Sequence, residues 1–205
     1  IYGKNIISGT SWDLKYKQAD VTIYGGGAGD LLGISSAIGD FNGDRIDDLL
    51  IGAPLADGPD DSRIDSGELY LIYGSSSLPL SIDLYDTSPD LKIFGRDGLD
   101  QLASTTLVVN GNSVINGFAA TMGDINGDGY DDIIAGVPLS DGPGIIRGEG
   151  GEVYLIYGGD PISSLLDLSD TQPDFTYYGM EADDHTGVSV FSGDANHDGK
   201  NDILI

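Results

Sequence analysis

The sequence GDFNGDRIDDLLIGAP at residues 39–54 decides the fold, because the chain repeats it. It recurs as GDINGDGYDDIIAGVP at residues 123–138 and, in part, as GDANHDGKNDILI at residues 193–205. A second motif, GELYLIYG at residues 67–74, recurs as GEVYLIYG at residues 151–158. Repetition at long, regular intervals is typical of proteins built from stacked structural units.

The repeat interval is longer in one copy than in the other. A third repeated motif places Tyr24, Phe94 and Tyr178 at equivalent positions, so the step from Phe94 to Tyr178 exceeds the step from Tyr24 to Phe94. The shorter step defines the basic unit. The longer copy therefore has an insertion, which we place around residues 104–117.

Each unit supplies four short apolar runs, separated by clusters of Gly, Asp, Asn and Ser, which is typical of an all-β chain. The run LYLIYG at residues 69–74 is apolar on both faces, as expected of a strand that is covered above and below. Four-stranded units of fixed period that pack face to face are β-propeller blades. In the first complete unit the predicted strands lie near residues 34–39, 48–55, 67–74 and 91–95.

We therefore predict an all-β fold of four-stranded antiparallel propeller blades over residues 1–205, with about three repeats of a larger propeller. Closed propellers have about 4–8 blades. Either the sequence is an excerpt of a longer chain, or copies complete one another head to tail and build rings or filaments. The predicted units are residues 1–33 (partial), 34–95, 96–179 and 180–205 (partial).

The acidic loop in each copy of the first motif has the spacing of a cation site. Counted from the first aspartate, side-chain oxygens occupy positions 1, 3, 5 and 9, and position 7 contributes its backbone carbonyl. Such oxygens suit Ca²⁺, which takes 6–8 oxygen ligands, better than Mg²⁺, and the chain has no Cys and His set for zinc. The predicted ligands are Asp40, Asn42, Asp44, Ile46 and Asp48; Asp124, Asn126, Asp128, Tyr130 and Asp132; and Asp194, Asn196, Asp198, Lys200 and Asp202.

A turn rich in Asp and Asn that binds no metal is the alternative for any single loop. Three copies with the same oxygen spacing favour metal binding, because crowded carboxylates disfavour one another's ionisation unless a cation is present. Position 6 is Gly129 or Gly199 in two loops but Arg45 in the first. Because a sharp turn there favours positive φ, we predict three calcium sites, of which the first is the weakest.

The charge balance limits the partners. Lys and Arg number 9 against 34 Asp and Glu, for a formal net charge of −25. This excess disfavours nucleic acid and anionic membrane surfaces, and no apolar run is long enough to predict membrane insertion. No nucleophile elbow, zinc-protease motif or P-loop is present, and we expect no catalytic role for His185 or His197, so we predict that the chain is not an enzyme.

These motifs together resemble the FG-GAP repeats of the integrin α-subunit propeller and its bacterial relatives. The resemblance rests on Phe94-Gly95 and Gly52-Ala53-Pro54, with Tyr24-Gly25, Tyr178-Gly179 and Gly136-Val137-Pro138 as softer copies. It implies Ca²⁺ on the hairpins of one propeller face, and partners on the opposite face or the side. It identifies no ligand.

The predicted function is a calcium-binding β-propeller module for adhesion, protein–protein interaction or assembly, with a protein or glycan ligand of unknown identity. We expect an extracellular or cell-surface location, because such sites work naturally where Ca²⁺ is millimolar. The loops at residues 56–68 and 141–152, away from the metal hairpins, are interpreted as solvated linkers or as partner-binding loops. The alternatives are a non-catalytic propeller of a secreted hydrolase and a structural subunit of an extracellular filament.

Overall fold

A computed structural model of the protein describes residues 15, 19–109, 112–115, 118–159 and 163–205. Two short 3₁₀ turns, Pro59–Asp61 and Pro143–Ile145, lie among the strands, and no described helix is long and apolar enough to cross a membrane. The described strands are β1 (Thr22–Tyr24), β2 (Ser35–Gly39), β3 (Asp48–Ala53), β4 (Glu68–Ile72), β5 (Ser81–Asp83), β6 (Leu91–Phe94), β7 (Thr106–Val109), β8 (Asn112–Ile115), β9 (Ala120–Gly123), β10 (Asp132–Val137), β11 (Glu152–Ile156), β12 (Leu165–Asp167), β13 (Phe175–Tyr178), β14 (Phe191–Gly193) and β15 (Asp202–Leu204).

Two four-stranded antiparallel sheets form the centre of the fold and confirm the predicted blades. The first blade has the order β2-β3-β4-β6, and the second has the order β9-β10-β11-β13. One row of the first blade pairs Ala37 with Leu50, Leu50 with Leu71, and Leu71 with Leu91. The four strands predicted for this unit are therefore confirmed.

Both faces of the two inner strands of each blade are buried, as the two-sided apolar runs predict, whereas β13 at the edge of the second blade is mostly exposed. The main core cluster lies between the blades and joins Leu71 and Ile93 of the first blade to Ile133 and Tyr154 of the second. A second cluster covers the opposite face of the first blade, where Ile51 and Tyr70 are buried, and a third covers the far face of the second blade. The successive blades are thus stacked by apolar side chains that alternate along each strand.

Two three-residue strands add an element that the four-run pattern does not predict. β5 pairs in parallel with β1, and β12 pairs in parallel with β6, so the first blade carries a fifth strand on its outer edge. Both strands come from the connection between the third and fourth strands of a complete blade. Each complete blade therefore contributes one short strand, which pairs with the fourth strand of the preceding repeat unit.

The remaining strands form two hairpins. β7 and β8 pair antiparallel within the region where the sequence places the insertion. β14 and β15 also pair antiparallel, with Gly193 opposite Asp202, and β14 lies beside β9. The third acidic loop therefore connects two adjacent strands, as the first two loops do.

Candidate metal centres

The three acidic loops connect the first and second strands of successive repeat units. They run from β2 to β3, from β9 to β10, and from β14 to β15. The aspartate at position 9, which is Asp48, Asp132 or Asp202, is the first residue of the second strand in each case. The hairpin geometry therefore fixes the last predicted ligand to the sheet and leaves positions 1 to 7 in the turn.

Backbone amides within the loops hold the side chains at positions 1, 3 and 5. In the second loop the Gly129 N–H donates to Asp124 Oδ2 (3.0 Å), the Asp128 N–H to Asn126 Oδ1 (2.8 Å), and the Tyr130 N–H to Asp128 Oδ1 (3.0 Å). The equivalent bonds are present in the first and third loops. The three predicted sites therefore have one shape, and positions 1, 3 and 5 face the same turn.

The position-9 carboxylates of the two complete blades are buried and receive further amide bonds. Asp48 accepts from the N–H groups of Phe41 (3.0 Å) and Gly74 (2.8 Å). Asp132 accepts from those of Ile125 (2.9 Å) and Gly158 (2.9 Å). Burial raises the pKa of Asp48 and Asp132, and the backbone hydrogen bonds oppose that rise. These two side chains thus connect the loop to the strand that follows it and to the end of the third strand.

Asp40 provides a direct test of whether a cation fits. Its Oδ1 atom is buried and has no hydrogen-bond partner, although a buried carboxylate oxygen normally has one. The donor set is oxygen only, which suits a hard cation such as Ca²⁺. The residues present therefore fit the ion that the sequence predicts.

The described side chains do not form a ready cluster of three or more His, Cys, Asp or Glu groups for a metal. Instead, most of the loop carboxylates accept amide N–H groups. A carboxylate oxygen has more than one lone pair, so an oxygen that accepts one N–H retains capacity for a cation.

The backbone of position 6 is left-handed in all three loops, as the sequence predicts. The φ angle is 71° at Arg45, 92° at Gly129 and 88° at Gly199. Position 4 is left-handed as well, with φ of 62° at His197 in the third loop and glycine in the others. The spacing of the oxygens does not predict this second constraint. Together, positions 4 and 6 place one non-glycine residue in the left-handed region of the first loop, one in the third loop and none in the second.

Hydrogen bonds also join neighbouring loops through position 8, which is not among the predicted ligand positions. The Asp131 N–H donates to the Asp40 carbonyl (2.9 Å), and the Asp40 N–H donates to Asp131 Oδ2 (2.8 Å). The Asn201 N–H makes the equivalent bond to the Asp124 carbonyl (2.7 Å). A polar residue at position 8 in every copy, with Asp47 in the first, is the sequence signal for this contact.

The side chains at position 7 contact the preceding loop as well. Lys200 Nζ donates to the Asn126 carbonyl (2.7 Å). The Tyr130 ring lies against Gly43, so closely that an added Cβ at Gly43 would collide with the ring. Position 7 therefore contributes to the contact between blades in addition to the carbonyl that the sequence assigns to it.

The loops at the other end of β3 line an acidic cavity of about 760 Å³. Its lining includes Lys92, whose Nζ pairs with the buried Glu68 (2.8 Å). Its other carboxylates belong to Asp30, Asp57, Asp60 and Asp61.

At the next blade interface an arginine occupies the corresponding place. Arg96 Nη2 lies 2.8 Å and 2.9 Å from the two carboxylate oxygens of Glu152, whose side chain is fully buried. The counterpart of Arg96 one repeat earlier is Gly26, which lines the acidic cavity. The cavity therefore lacks the arginine that pairs with the buried glutamate at the next interface.

The fold and loops together define a segment of a β-propeller with four-stranded blades and an acidic hairpin loop in each. The FG-GAP repeat family matches residues 32–72 and 116–156, which cover the first three strands of each complete blade. The chain is therefore an FG-GAP repeat protein.

Curated relatives fall into two groups by name. Integrin alpha-PS2 of Drosophila melanogaster is 34% identical over 154 residues, which is 74% of this chain and 9% of that protein. Integrin alpha-5 of Xenopus laevis is 28% identical over 177 residues, 84% of this chain and 13% of that protein. Phosphatidylinositol-glycan-specific phospholipase D of Rattus norvegicus is 30% identical over 174 residues, 85% of this chain and 18% of that protein. The chain thus spans less than a fifth of the length of these three relatives.

Proposed function

We propose that the chain is a non-catalytic, calcium-binding propeller module of an extracellular or cell-surface protein, used for adhesion, protein–protein interaction or assembly. The observation that carries the proposal is the acidic hairpin loop. It occurs three times with the same amide bonds, and its first carboxylate leaves a buried oxygen without a partner at Asp40.

Positions 1, 3, 5, 7 and 9 of each loop would hold the ion. Bound Ca²⁺ supplies the positive charge that lets these carboxylates stay ionised next to one another. The protein's own part is to present the oxygens: loop amides orient the aspartates, and the buried position-9 carboxylates of Asp48 and Asp132 join the turn to the sheet. The module would thereby gain rigidity at one end of every blade.

An extracellular location fits this chemistry, because a structural site of several carboxylates is readily filled where Ca²⁺ is millimolar. The similarity to integrin α subunits supports the same location and an adhesive or interaction role. The ligand would be a protein or a glycan. The acidic cavity favours a partner with a basic group, and the net charge of −25 disfavours nucleic acid.

A second candidate is the non-catalytic propeller of a secreted hydrolase. It is favoured by the similarity to phosphatidylinositol-glycan-specific phospholipase D, of which the matched region is a small part. A structural subunit of an extracellular filament remains a further alternative, and electron microscopy of concentrated protein would reveal ordered polymers if it holds.

Thermal unfolding with and without calcium tests the proposal. EDTA should lower the melting temperature, and Ca²⁺ should restore it. A ligand at about 1,000 times its Kd stabilises the folded state by ~4 kcal/mol, which is on the order of 10 °C for a chain of this size. Asp128→Ala should reduce the calcium-dependent shift, whereas Asp86→Ala, which removes an exposed charge outside the loops, should not. An EDTA melt that matches the calcium melt would refute the structural role of the ion.

A further inference from the structure

The first and second acidic loops share a set of hydrogen bonds centred on Asp131. Asp131 lies at position 8 of the second loop, between the predicted ligands Tyr130 and Asp132. Its N–H donates to the carbonyl of Asp40 (2.9 Å), and its Oδ2 atom accepts the N–H of Asp40 (2.8 Å). Asp40 is the first predicted ligand of the first loop. One residue of the second blade therefore holds both backbone polar groups of a predicted ligand in the first blade.

These bonds restrict the orientation of Asp40. Its Oδ2 atom accepts the N–H of Arg45 (2.8 Å), so the N–H, the carbonyl and the Oδ2 atom of Asp40 all have partners. The Oδ1 atom is buried and has none. The contacts with Asp131 and Arg45 thus leave this one oxygen available to the predicted cation.

A second connection joins the position-9 carboxylates of the same two loops. The Gly158 N–H donates to Asp132 Oδ1 (2.9 Å). The next residue, Gly159, donates its N–H to the Phe41 carbonyl (2.9 Å). The Phe41 N–H in turn donates to Asp48 Oδ2 (3.0 Å). A short path of backbone groups therefore runs from Asp132 to Asp48, which are predicted ligands of different loops.

Shared contacts of this kind couple two binding events. Without a cation, the crowded carboxylates of a loop disfavour one another's ionisation, which opposes the conformation in which their oxygens share one turn. A bound cation removes that opposition and orders the loop. Because Asp40 and Asp131 order each other through two hydrogen bonds, part of the ordering cost is already met when the second cation binds. Binding at either loop therefore favours binding at the other.

Electrostatic repulsion between two bound cations opposes this coupling. The first loop has three predicted carboxylate ligands, Asp40, Asp44 and Asp48, so it keeps a net negative formal charge when it holds one divalent cation. The second loop has the same number. A cation that approaches one loop is therefore not faced with a net positive charge at the other. The remaining repulsion is screened by salt.

We propose that Asp131 is a positioning residue for the first calcium site, and that through it the first and second sites bind Ca²⁺ with positive cooperativity. This inference rests on the calcium binding proposed above and adds the residue that connects the two sites. The coupling factor is the fold by which occupancy of one site raises the affinity of the other. It should be about fivefold or more.

Three equivalent amides report on the loops separately. The N–H groups of Arg45, Gly129 and Gly199 each donate to the position-1 aspartate of their own loop. Titration of the ¹⁵N-labelled chain with CaCl₂, followed by the NMR shifts of these amides, gives the Ca²⁺ concentration that half-saturates each site. Because the first site is predicted to be the weakest, the second site is already filled when the Arg45 amide titrates.

Removal of one site should then change the affinity of its neighbour. Asp128→Ala removes a predicted ligand of the second site and should raise the half-saturating concentration of the first site about fivefold or more. Asp198→Ala is the matched control, because it removes the same ligand from the third site. Among the described residues, the bonds of the third loop to other loops reach only the second loop, so the first site should titrate as before.

Asp131→Ala tests the connecting residue itself. It removes the acceptor of the Asp40 N–H but keeps the backbone bonds donated by residue 131 and Gly159, so the two blades remain in contact. In this background, Asp128→Ala should change the half-saturation of the first site by less than about twofold. Asp131→Asn retains an oxygen acceptor, and it should retain most of the coupling.

Asp47→Ala controls for the loss of charge. Asp47 is the position-8 residue of the first loop, is exposed, and has no hydrogen bond to another loop within the described part of the chain. Its replacement removes a nearby carboxylate without breaking the described connection, so the affinity of the first site should fall while the coupling factor stays the same. Raising KCl from about 0.1 M to about 1 M shortens the Debye length from about 10 Å to about 3 Å, so the coupling factor should be kept or increase.

The outcomes separate this inference from the calcium sites themselves. If the Arg45 amide titrates at the same Ca²⁺ concentration with and without Asp128→Ala, the two sites are independent, and the coupling is overturned while calcium binding stands. Coupling that Asp131→Ala leaves unchanged would overturn the role of Asp131. The absence of any Ca²⁺-dependent shift at the three amides would instead refute the sites, and the coupling with them.

Discussion

Replacing Arg45 by glycine should stabilise the first acidic loop, because Arg45 has a φ of 71°. A non-glycine residue in the left-handed region costs ~1–2 kcal/mol. The greater freedom of glycine in the unfolded chain cancels ~0.4–1 kcal/mol of that gain. The hydrogen bond from the residue 45 N–H to Asp40 Oδ2 (2.8 Å) involves only the backbone on the donor side, so it is kept. The expected net gain is ~0.5–1 kcal/mol.

Gly129→Ala is the matched reverse experiment. Gly129 has a φ of 92°, and an added Cβ would have no atom within 4 Å, so the change acts on the backbone alone. We expect it to destabilise the second loop by ~1 kcal/mol. Differential scanning calorimetry in saturating Ca²⁺ should show Arg45→Gly melting higher and Gly129→Ala melting lower than the unmodified chain, each by about 1–4 °C.

Calorimetric titration should show the same order in calcium affinity. Arg45→Gly should raise the affinity of the first site about two- to fivefold, because ~0.5–1 kcal/mol of strain no longer opposes the loop conformation. A decrease in stability for Arg45→Gly, with an increase for Gly129→Ala, would contradict the common geometry of the three loops and the ranking of the first site.

Three further predictions concern the contacts between blades. Burial and the nearby Asp97 raise the pKa of Asp100 to about 7, so the folded state keeps a proton that the unfolded state loses near pH 4. The free energy of unfolding should therefore fall as pH rises from about 4 to about 7. In urea unfolding measured at a series of pH values, Asp100→Asn should flatten that fall. Gly136→Ala would place Cβ in steric conflict with the Gly187 carbonyl oxygen and should cost ~3 kcal/mol or more in the same assay, so an unchanged midpoint would argue against that close approach. Asp131→Ala should cost ~1–3 kcal/mol, because the Asp40 N–H loses its acceptor in the neighbouring loop, and a neutral result would show that the loops are not coupled through this bond.

The features that the sequence predicts are local and repeated. Apolar runs such as residues 67–74 identify strands because both faces are buried, and the spacing of Asp40, Asn42 and Asp44 identifies the loop because its oxygens share one turn. Each of these patterns is complete within one short segment, so three copies are enough to recognise it.

The features that the sequence misses depend on the neighbouring blade. β5 and β12 have three residues each, too few for a periodic pattern, and their pairing is set by the strand that precedes them. Position 8 pairs with the previous loop, as Asp131 does with Asp40, and its role is visible only when the two loops lie side by side. The sequence does carry a weaker indication of these contacts. Residues outside the four apolar runs are also repeated, such as Asp83 in β5 and Asp167 in β12.

The fifth strand also affects the order in which the protein becomes complete during synthesis. Thr22 of β1 pairs with Ser81, and Lys92 of β6 pairs with Leu165. The outer edges of β1 and β6 are therefore covered only after most of another repeat unit has been synthesised. At about 5–20 residues per second, a nascent blade leaves the ribosome with this edge uncovered for about 3–15 s. Exposed edges of this kind favour pairing between different molecules. The interval is therefore a period in which chaperones, or a neighbouring nascent chain on the same polysome, have access to a strand that the finished protein covers.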